Sequence, residues 1–177
     1  HKIANILRQR KKEYAILMAQ EMGKPLKQGE AEIEKCAVVC DHYAEKALEY
    51  LKPRIIPTEM EKSYVTYQPL GIVFAIMPWN FPFWQVFRFA APTIMAGNGV
   101  LLKHASICTG IALAIEKIFK GPDCVVIRSG LIMGNGGFVG QMADFMKSKH
   151  AVPLIGGGKQ PLQVVAVYDL VRVIKAI

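Results

Sequence analysis

Apolar side chains near the start of the chain recur at the spacing of one helix face, which predicts an amphipathic helix. The pattern stops at Gly23, and Pro25 reinforces the stop. A second helix is predicted over residues 28–50 from the same period. The apolar positions of the first helix are Ile3, Ile6, Leu7, Tyr14, Leu17 and Met18. Those of the second are Ile33, Ala37, Cys40, Ala44 and Leu48, with Glu30, Glu32, Glu34 and Glu45 on its other faces.

The next segment changes from helical to strand-like patterning. Residues 52–61 read as a connection, and residues 64–67 alternate with β-branched and aromatic side chains, which predicts a strand. Residues 69–71, Pro-Leu-Gly, then turn the chain.

Residues 71–119 carry a β-α-β-α pattern. The apolar run 71–77 suits a strand buried on both faces of a parallel sheet, and the apolar helix 83–95 is expected to be buried nearly all round. A second strand, 99–103, and a helix, 108–119, complete a unit with a right-handed crossover. We therefore predict an α/β chain in which N-terminal helices precede part of a Rossmann-like parallel sheet, incomplete and joined to a second α/β fragment.

Composition and charge narrow the class of protein. The 177 residues are 52% hydrophobic and 20% charged, with a net charge of +8 that is spread evenly along the chain. The one tight basic cluster, Arg8 to Lys12, reads as the solvated face of the first helix, because no interleaved aromatic or reading motif accompanies it. We predict no nucleic-acid partner.

The chain shows neither a long apolar stretch nor a signal peptide, so we predict no membrane partner. We expect a cytoplasmic location, with an organelle matrix and a missing transit peptide as the alternative. Its four cysteines, including Cys36, Cys40 and Cys108, lack metal-ligand spacing. We expect reduced structural thiols and no metal site. Cys36 and Cys40 lie one helical turn apart. Either the two thiols face one another, or each is a packing residue of the apolar core.

The segment 78–85, Pro-Trp-Asn-Phe-Pro-Phe-Trp-Gln, follows the predicted strand 71–77 directly. An amide at the carboxyl end of a parallel strand points into the crevice where open α/β sheets bind ligands, so Asn80 can donate to an oxyanion. The alternative is that Asn80 caps the helix that begins near Phe81 or Pro82.

Four segments in this order and spacing, 21–25, 67–73, 78–82 and 96–106, resemble the aldehyde dehydrogenases, within them the branch acting on succinate semialdehyde. The resemblance covers about the first 119 residues. It implies oxidation of an aldehyde of that class to the carboxylate, with Asn80 donating to the thiohemiacetal oxyanion and Lys103 reaching the adenosine ribose of a nicotinamide cofactor. The cofactor-binding residues it implies are Ile76, Met77, Pro78, Trp79, Asn80, Lys103 and Ser106.

The resemblance also bears on the choice of cofactor. An acidic residue often stands three places after the lysine in NAD-linked relatives, and here that place holds the neutral Ser106. This favours NADP, with NAD as the alternative, and Lys103 and Ser106 on the 2′-phosphate. The alternative for Lys103 is a solvent-facing lysine at a strand end with no ligand. His104 is interpreted as a loop residue rather than a catalytic base.

The family's catalytic cysteine and glutamate segments do not occur in the sequence. A helix dipole is able to lower the pKa of Cys108, but nothing places this thiol at the substrate carbon. We expect little or no turnover. The alternative function is a non-catalytic nucleotide-binding or interaction module that pairs with a full-length dehydrogenase.

Residues 120–177 resemble the late part of an extended short-chain dehydrogenase or epimerase, through Arg128-Ser129-Gly130 and the segment 168–171. The cofactor fingerprint and Tyr-x-x-x-Lys pair of that family are missing upstream, and glycines 156–158 read as a turn. We therefore predict two domains, 1–119 and 120–177. Their uncovered sheet edges favour an oligomer.

Overall fold

The computed structural model describes residues 1–120, 131–133, 147–148, 164–166 and 172. The chain divides into two compact units, His1–Cys124 and Val125–Ile177. In the second unit, strand β5 (Leu131–Met133) pairs in parallel with β6 (Val164–Ala166). The predicted loops at 128–130 and 156–158 and the segment 168–171 lie outside the described residues, so the epimerase-like interpretation of 120–177 stays a prediction.

The first predicted helix is two helices. Helix α1 spans Lys2–Gln9 and α2 spans Lys11–Met22, with Arg10 between them at φ −104° and ψ 17°. The single-helix prediction is wrong because the sequence between Leu7 and Tyr14 is wholly polar, so no buried side chain holds a straight axis there. The predicted end is confirmed, since Gly23 closes α2 in the left-handed conformation at φ 73°.

Helix α3 spans Leu26–Tyr50, but its predicted apolar face is buried only in the N-terminal half. Ile33, Cys36 and Ala37 are fully buried, whereas Leu48 is 80% exposed although the adjacent Ala47 is buried. Glu32, which the pattern placed off the apolar face, is buried. This carboxylate therefore belongs to the interior and requires partners.

Helices α2 and α3 approach closely at Gly29. A Cβ atom added there lies 3.0 Å from the Ala15 Cβ, 3.1 Å from the Ala15 Cα and 3.2 Å from the Met18 Cε. The absent side chain is therefore what lets the two helices meet.

A short hairpin and a parallel strand pair follow. Strand β1 (Arg54–Ile55), within the predicted connection, pairs antiparallel with β2 (Tyr64–Val65). Strand β3 (Ile72–Ile76) pairs in parallel with β4 (Gly99–Lys103), in the register Ile72 to Gly99 through Ile76 to Lys103. The predicted α/β class and the parallel pairing are confirmed.

Helix α4 (Trp84–Met95) connects β3 to β4, and a 3-10 turn (Ser106–Cys108) leads into α5 (Thr109–Phe119). Helix α4 packs on α3 and helix α5 packs on α2, and the helices share one core. The core comprises Ala4, Leu7, Tyr14, Met18, Ile33, Cys36, Ala37, Phe83, Val86, Phe87, Ala90, Cys108, Ile111, Ile115 and Ile118.

Two burial predictions are wrong. Within the described residues, β3 is covered on one face only: Ala75 is buried, but Ile72, Phe74 and Ile76 are 69%, 57% and 67% exposed. The side chains of a strand alternate between faces, so helices on one face cover only every second residue. Helix α4 likewise buries one side, and its last turn leaves Ile94 and Met95 exposed.

No helix among the described residues is both long enough and apolar enough to span a bilayer.

Gly29→Ala is expected to destabilise the chain by about 1 kcal/mol. Overpacking against the Ala15 backbone costs about 1–3 kcal/mol, and the gain in helix propensity returns about 1 kcal/mol. Urea unfolding followed by circular dichroism measures the difference, with the exposed neighbour Lys27→Ala as control. A Gly29→Ala chain as stable as the control would contradict the close approach of α2 and α3.

Candidate functional site

The predicted site residues lie where β3 and β4 end side by side. Ile76 pairs with Lys103 in the parallel register, and the Met77 N–H donates to the Lys103 carbonyl at 3.0 Å. The pairing therefore extends one residue beyond β3, and segment 77–80 starts beside the lysine. The structure thus brings the two strand ends to one edge of the sheet, as the topology predicted.

Asn80 is exposed in the loop between β3 and α4. The alternative that it caps this helix is wrong, since α4 begins at Trp84 and its N-cap residue is Phe83. The Asn80 side chain makes no hydrogen bond to the residues that the structure describes, so its amide is available to a ligand.

The main chain around Asn80 is held from the opposite side by Lys24. The ammonium of Lys24 donates to the Asn80 carbonyl at 2.9 Å and lies 4.0 Å from the centre of the Phe81 ring. It also pairs with the carboxylate of Glu32. Both side chains are almost fully buried, at 7% and 3% exposure, so this is an interior ion pair.

Glu32 completes the arrangement at the start of α4. Its Oε1 atom accepts hydrogen bonds from the backbone N–H groups of Phe83 and Trp84, both at 2.9 Å. The helix lacks a side-chain cap of its own, so this carboxylate satisfies two of the free N–H groups and faces the positive end of the helix dipole.

Sequence reasoning missed Glu32, although a signal was present. Gly29, Ile33 and Cys36 form the buried stripe of α3, and Glu32 lies three residues after the first and four before the last. A carboxylate within an apolar stripe indicates a buried partner. That partner is Lys24, which lies in segment 21–25, one of the four segments that carry the family resemblance.

A second carboxylate performs the same task for α5. Glu21 accepts from the Gly110 N–H at 2.6 Å and from the Ile111 N–H at 2.9 Å. Each helix that follows a strand of the parallel pair is thus capped by a glutamate from the N-terminal helical region.

The two predicted phosphate-binding residues lie just beyond the end of the sheet. Lys103 and Ser106 are exposed, and neither side chain makes a hydrogen bond or an ion pair with the described residues. An ammonium and a hydroxyl are donors, as a phosphate requires. These two positions therefore fit an anionic ligand.

His104 joins the two loops. The Ala105 N–H donates to Nδ1 at 2.8 Å, so Nδ1 is an acceptor and Nε2–H donates to the Pro82 carbonyl at 2.9 Å. Both ring nitrogens are engaged, which agrees with a loop residue.

The described cysteines are free and unsuited to nucleophilic attack. Burial raises the pKa of all three thiols, that of Cys40 to about 11. The suggestion that a helix dipole lowers the pKa of Cys108 is wrong, because burial, and then the charges of Glu21 and Glu32, favour the protonated thiol.

An open cavity of about 300 Å³ lies on the outer side of the Asn80 loop. Its floor includes Glu32, and the Lys35 ammonium lies 4.0 Å from the Trp84 ring centre. Within the described ranges, no group of three or more metal-ligating side chains occurs. The cavity lining is Gln28, Ala31, Glu32, Lys35, Phe81 and Trp84.

Comparison with known proteins identifies a family and several relatives that this chain resembles. Residues 1–142 match the family model described as the aldehyde dehydrogenase family. A probable succinate-semialdehyde dehydrogenase (NADP(+)) of Synechocystis sp. is 58% identical over 119 residues, 67% of this chain and 26% of the relative. The succinate semialdehyde dehydrogenase (NAD(P)+) Sad of Escherichia coli is 48% identical over 118 residues, again 67% of this chain and 26% of the relative.

Among solved structures, succinic semialdehyde dehydrogenase from Streptococcus pyogenes in complex with NADP+ superposes with a TM-score of 0.65 at 40% identity. The alignment covers 67% of this chain and 26% of that one. The chain therefore spans about a quarter of the length of the relatives it matches. The family match runs to residue 142, and the proposed boundary at 119 stays a prediction.

Glu21→Ala is expected to lower the free energy of unfolding by about 1–2 kcal/mol, because two N–H groups at the start of α5 lose their acceptor. Glu21→Gln keeps an acceptor oxygen and is expected to lose less. Thermal and urea unfolding measure both, with the exposed Glu45→Ala as control. Equal stability of the Glu21→Ala and Glu45→Ala chains would contradict the capping role.

Proposed function

The chain belongs to the aldehyde dehydrogenase family, and we propose that it serves NADP-dependent oxidation of an aldehyde of the succinate-semialdehyde class to the carboxylate. One observation carries the proposal. Lys103 ends β4 and Asn80 lies in the loop that follows its parallel neighbour β3, and neither side chain is bonded to the described residues. Ligands of open α/β sheets bind at that position.

The cofactor proposal rests on the donors beyond β4. Lys103 supplies a positive charge and Ser106 a neutral hydroxyl, a pair that suits the 2′-phosphate of NADP. The relative from Synechocystis and the structure from Streptococcus pyogenes are both described with NADP. Segment 76–80, which includes Ile76, Met77, Pro78 and Trp79, is proposed to contact the rest of the NADP molecule.

The proposed role of Asn80 is to polarise the aldehyde. Its NH2 group donates to the carbonyl oxygen and stabilises the negative charge that develops there when a thiolate adds to the carbonyl carbon. A bound nicotinamide would supply the acceptor for the hydride that leaves that carbon. Since Lys24 binds the Asn80 carbonyl, the main chain that carries the amide donor is held before the substrate arrives.

The 177-residue chain alone is proposed to have little turnover. The described thiols have raised pKa values, and deacylation needs a general base for water that no described residue at this edge provides. The proposed alternative is a non-catalytic nucleotide-binding or interaction module that pairs with a full-length dehydrogenase, favoured by the exposed apolar face of Ile72, Phe74 and Ile76. The same face supports an oligomer.

The remaining proposals concern location and partners. The described cysteines are free thiols, which agrees with the reducing cytoplasm. The small-molecule partner is the aldehyde, and neither nucleic acid nor membrane is proposed as a partner.

NADP is expected to raise the thermal unfolding midpoint by several degrees when it exceeds its dissociation constant about a hundredfold. Lys103→Ala is expected to weaken NADP binding by about 10- to 100-fold, because a charge-assisted contact worth about 1.5–3 kcal/mol is lost.

Ser106→Glu is expected to favour NAD over NADP, since a carboxylate repels the 2′-phosphate. Calorimetric titration with each cofactor measures both changes.

Lys62→Ala is the matched control, an exposed lysine away from the sheet edge. The cofactor assignment fails if Lys103→Ala and Lys62→Ala bind NADP equally.

Incubation with NADP and succinate semialdehyde is expected to produce no NADPH, in a sample whose NADP-dependent unfolding shift shows a folded site. Spectrophotometry of NADPH is the measurement. NADPH formation that scales with the chain and is lost in Asn80→Ala would show that the chain is itself an active enzyme. Binding without turnover agrees with both functions, and co-elution with a full-length succinate-semialdehyde dehydrogenase distinguishes the interaction module.

A further inference from the structure

The loop that carries Asn80 is fixed from outside the parallel sheet. Lys24 lies in the turn between α2 and α3, and Glu32 lies in the second turn of α3. Lys24 holds the carbonyl of Asn80, and Glu32 holds the N–H groups of Phe83 and Trp84. The two ends of the short segment 80–84 are thus attached to one buried ion pair.

We propose that Lys24 and Glu32 are positioning residues that set the direction of the Asn80 amide. The inference rests on the proposed function, in which that amide receives the aldehyde oxygen. Lys24 and Glu32 themselves are not catalytic residues, because they act on the main chain of the loop, while the Asn80 side chain remains exposed.

The hydrogen-bonding capacity of the pair is nearly exhausted. One Glu32 oxygen accepts two backbone N–H groups and the other accepts from Lys24. The Lys24 ammonium donates to Glu32 and to Asn80, and the Phe81 ring lies beside it. A buried network with all its members satisfied permits few alternative arrangements, so it defines one geometry.

The lysine contact carries the positioning argument. Glu32 accepts from the Phe83 and Trp84 N–H groups without help from Lys24, so this cap does not require a bond to the Asn80 carbonyl. That bond fixes the peptide plane directly after Asn80. The ring of Pro82 further restricts the segment. With its main chain held, Asn80 retains chiefly its own side-chain rotations.

The fold of the helix start and the direction of Asn80 can be separated experimentally. Lys24→Arg keeps a buried cation that donates. Lys24→Met leaves the Glu32 carboxylate buried without its partner, which threatens folding. The double variant Lys24→Met/Glu32→Gln removes both charges and keeps an amide oxygen for the N–H groups of Phe83 and Trp84. It therefore preserves the cap while removing the lysine contact.

The test is nuclear magnetic resonance of the full chain labelled with 15N only in asparagine. The sequence has four asparagines, and the Asn80 signals are identified by their loss in Asn80→Asp. Asn98 serves as an internal reference, because its side chain accepts from the Leu70 and Gly71 N–H groups at the opposite end of β3.

In Lys24→Met/Glu32→Gln, the backbone and side-chain amide signals of Asn80 are expected to shift and broaden while those of Asn5 and Asn98 stay in place. Lys24→Arg is expected to restore the original Asn80 signals. The inference is overturned if the Asn80 signals are unchanged in the double variant. It is also overturned if all asparagine signals change together, because the pair then serves the fold as a whole. Neither cofactor nor aldehyde is needed, so failure of the proposed function is detected separately, by the NADP titration.

Discussion

The buried carboxylate of Glu32 is the constraint on which the arrangement of the N-terminal unit depends. Removing a carboxylate from water costs several kcal/mol, and this one is paired with a buried ammonium and two backbone N–H groups that offset the cost. These partners come from three places, the turn after α2, the loop after β3 and the start of α4. The carboxylate is satisfied only when all three meet, so the N-terminal helices and the strand pair are fixed relative to one another.

The same physical solution recurs at Glu21, and together the two carboxylates determine where a ligand is able to bind. A helix N-terminus attracts anions, and helix starts that follow parallel strands commonly serve phosphates. Here the first N–H groups of α4 and α5 are occupied by carboxylates of the chain itself. The side chains of Asn80, Lys103 and Ser106, in the loops after β3 and β4, make no hydrogen bond to the described residues, and they are the donors that we propose for a ligand. In the proposed function, the anionic cofactor at this edge is therefore bound by a lysine and a hydroxyl.

Sequence patterning predicted the features that depend on local periodicity. The helix ends near Gly23, Met95 and Phe119 and the parallel strands follow from apolar spacing and turn residues, and Asn80 and Lys103 follow from strand ends. The missed features depend on contacts distant in sequence. Glu32 meets Phe83 across 51 residues, and Glu21 meets Gly110 across 89. A one-dimensional period assigns a glutamate to a polar face and has no means of identifying a partner so far along the chain.

The capping carboxylates also affect the thiol nearest the Asn80 loop. Cys108 is fully buried at the start of α5, with its Sγ 3.9 Å from the Trp79 carbonyl, one residue before the proposed oxyanion donor. A thiol at a helix N-terminus is ordinarily a candidate for a lowered pKa. Burial, Glu21 and Glu32 outweigh that tendency here, and the net effect raises the pKa of Cys108. Burial, reinforced by the two carboxylates, thus keeps this thiol protonated, so the described part of this edge offers hydrogen-bond donors without an ionised thiol.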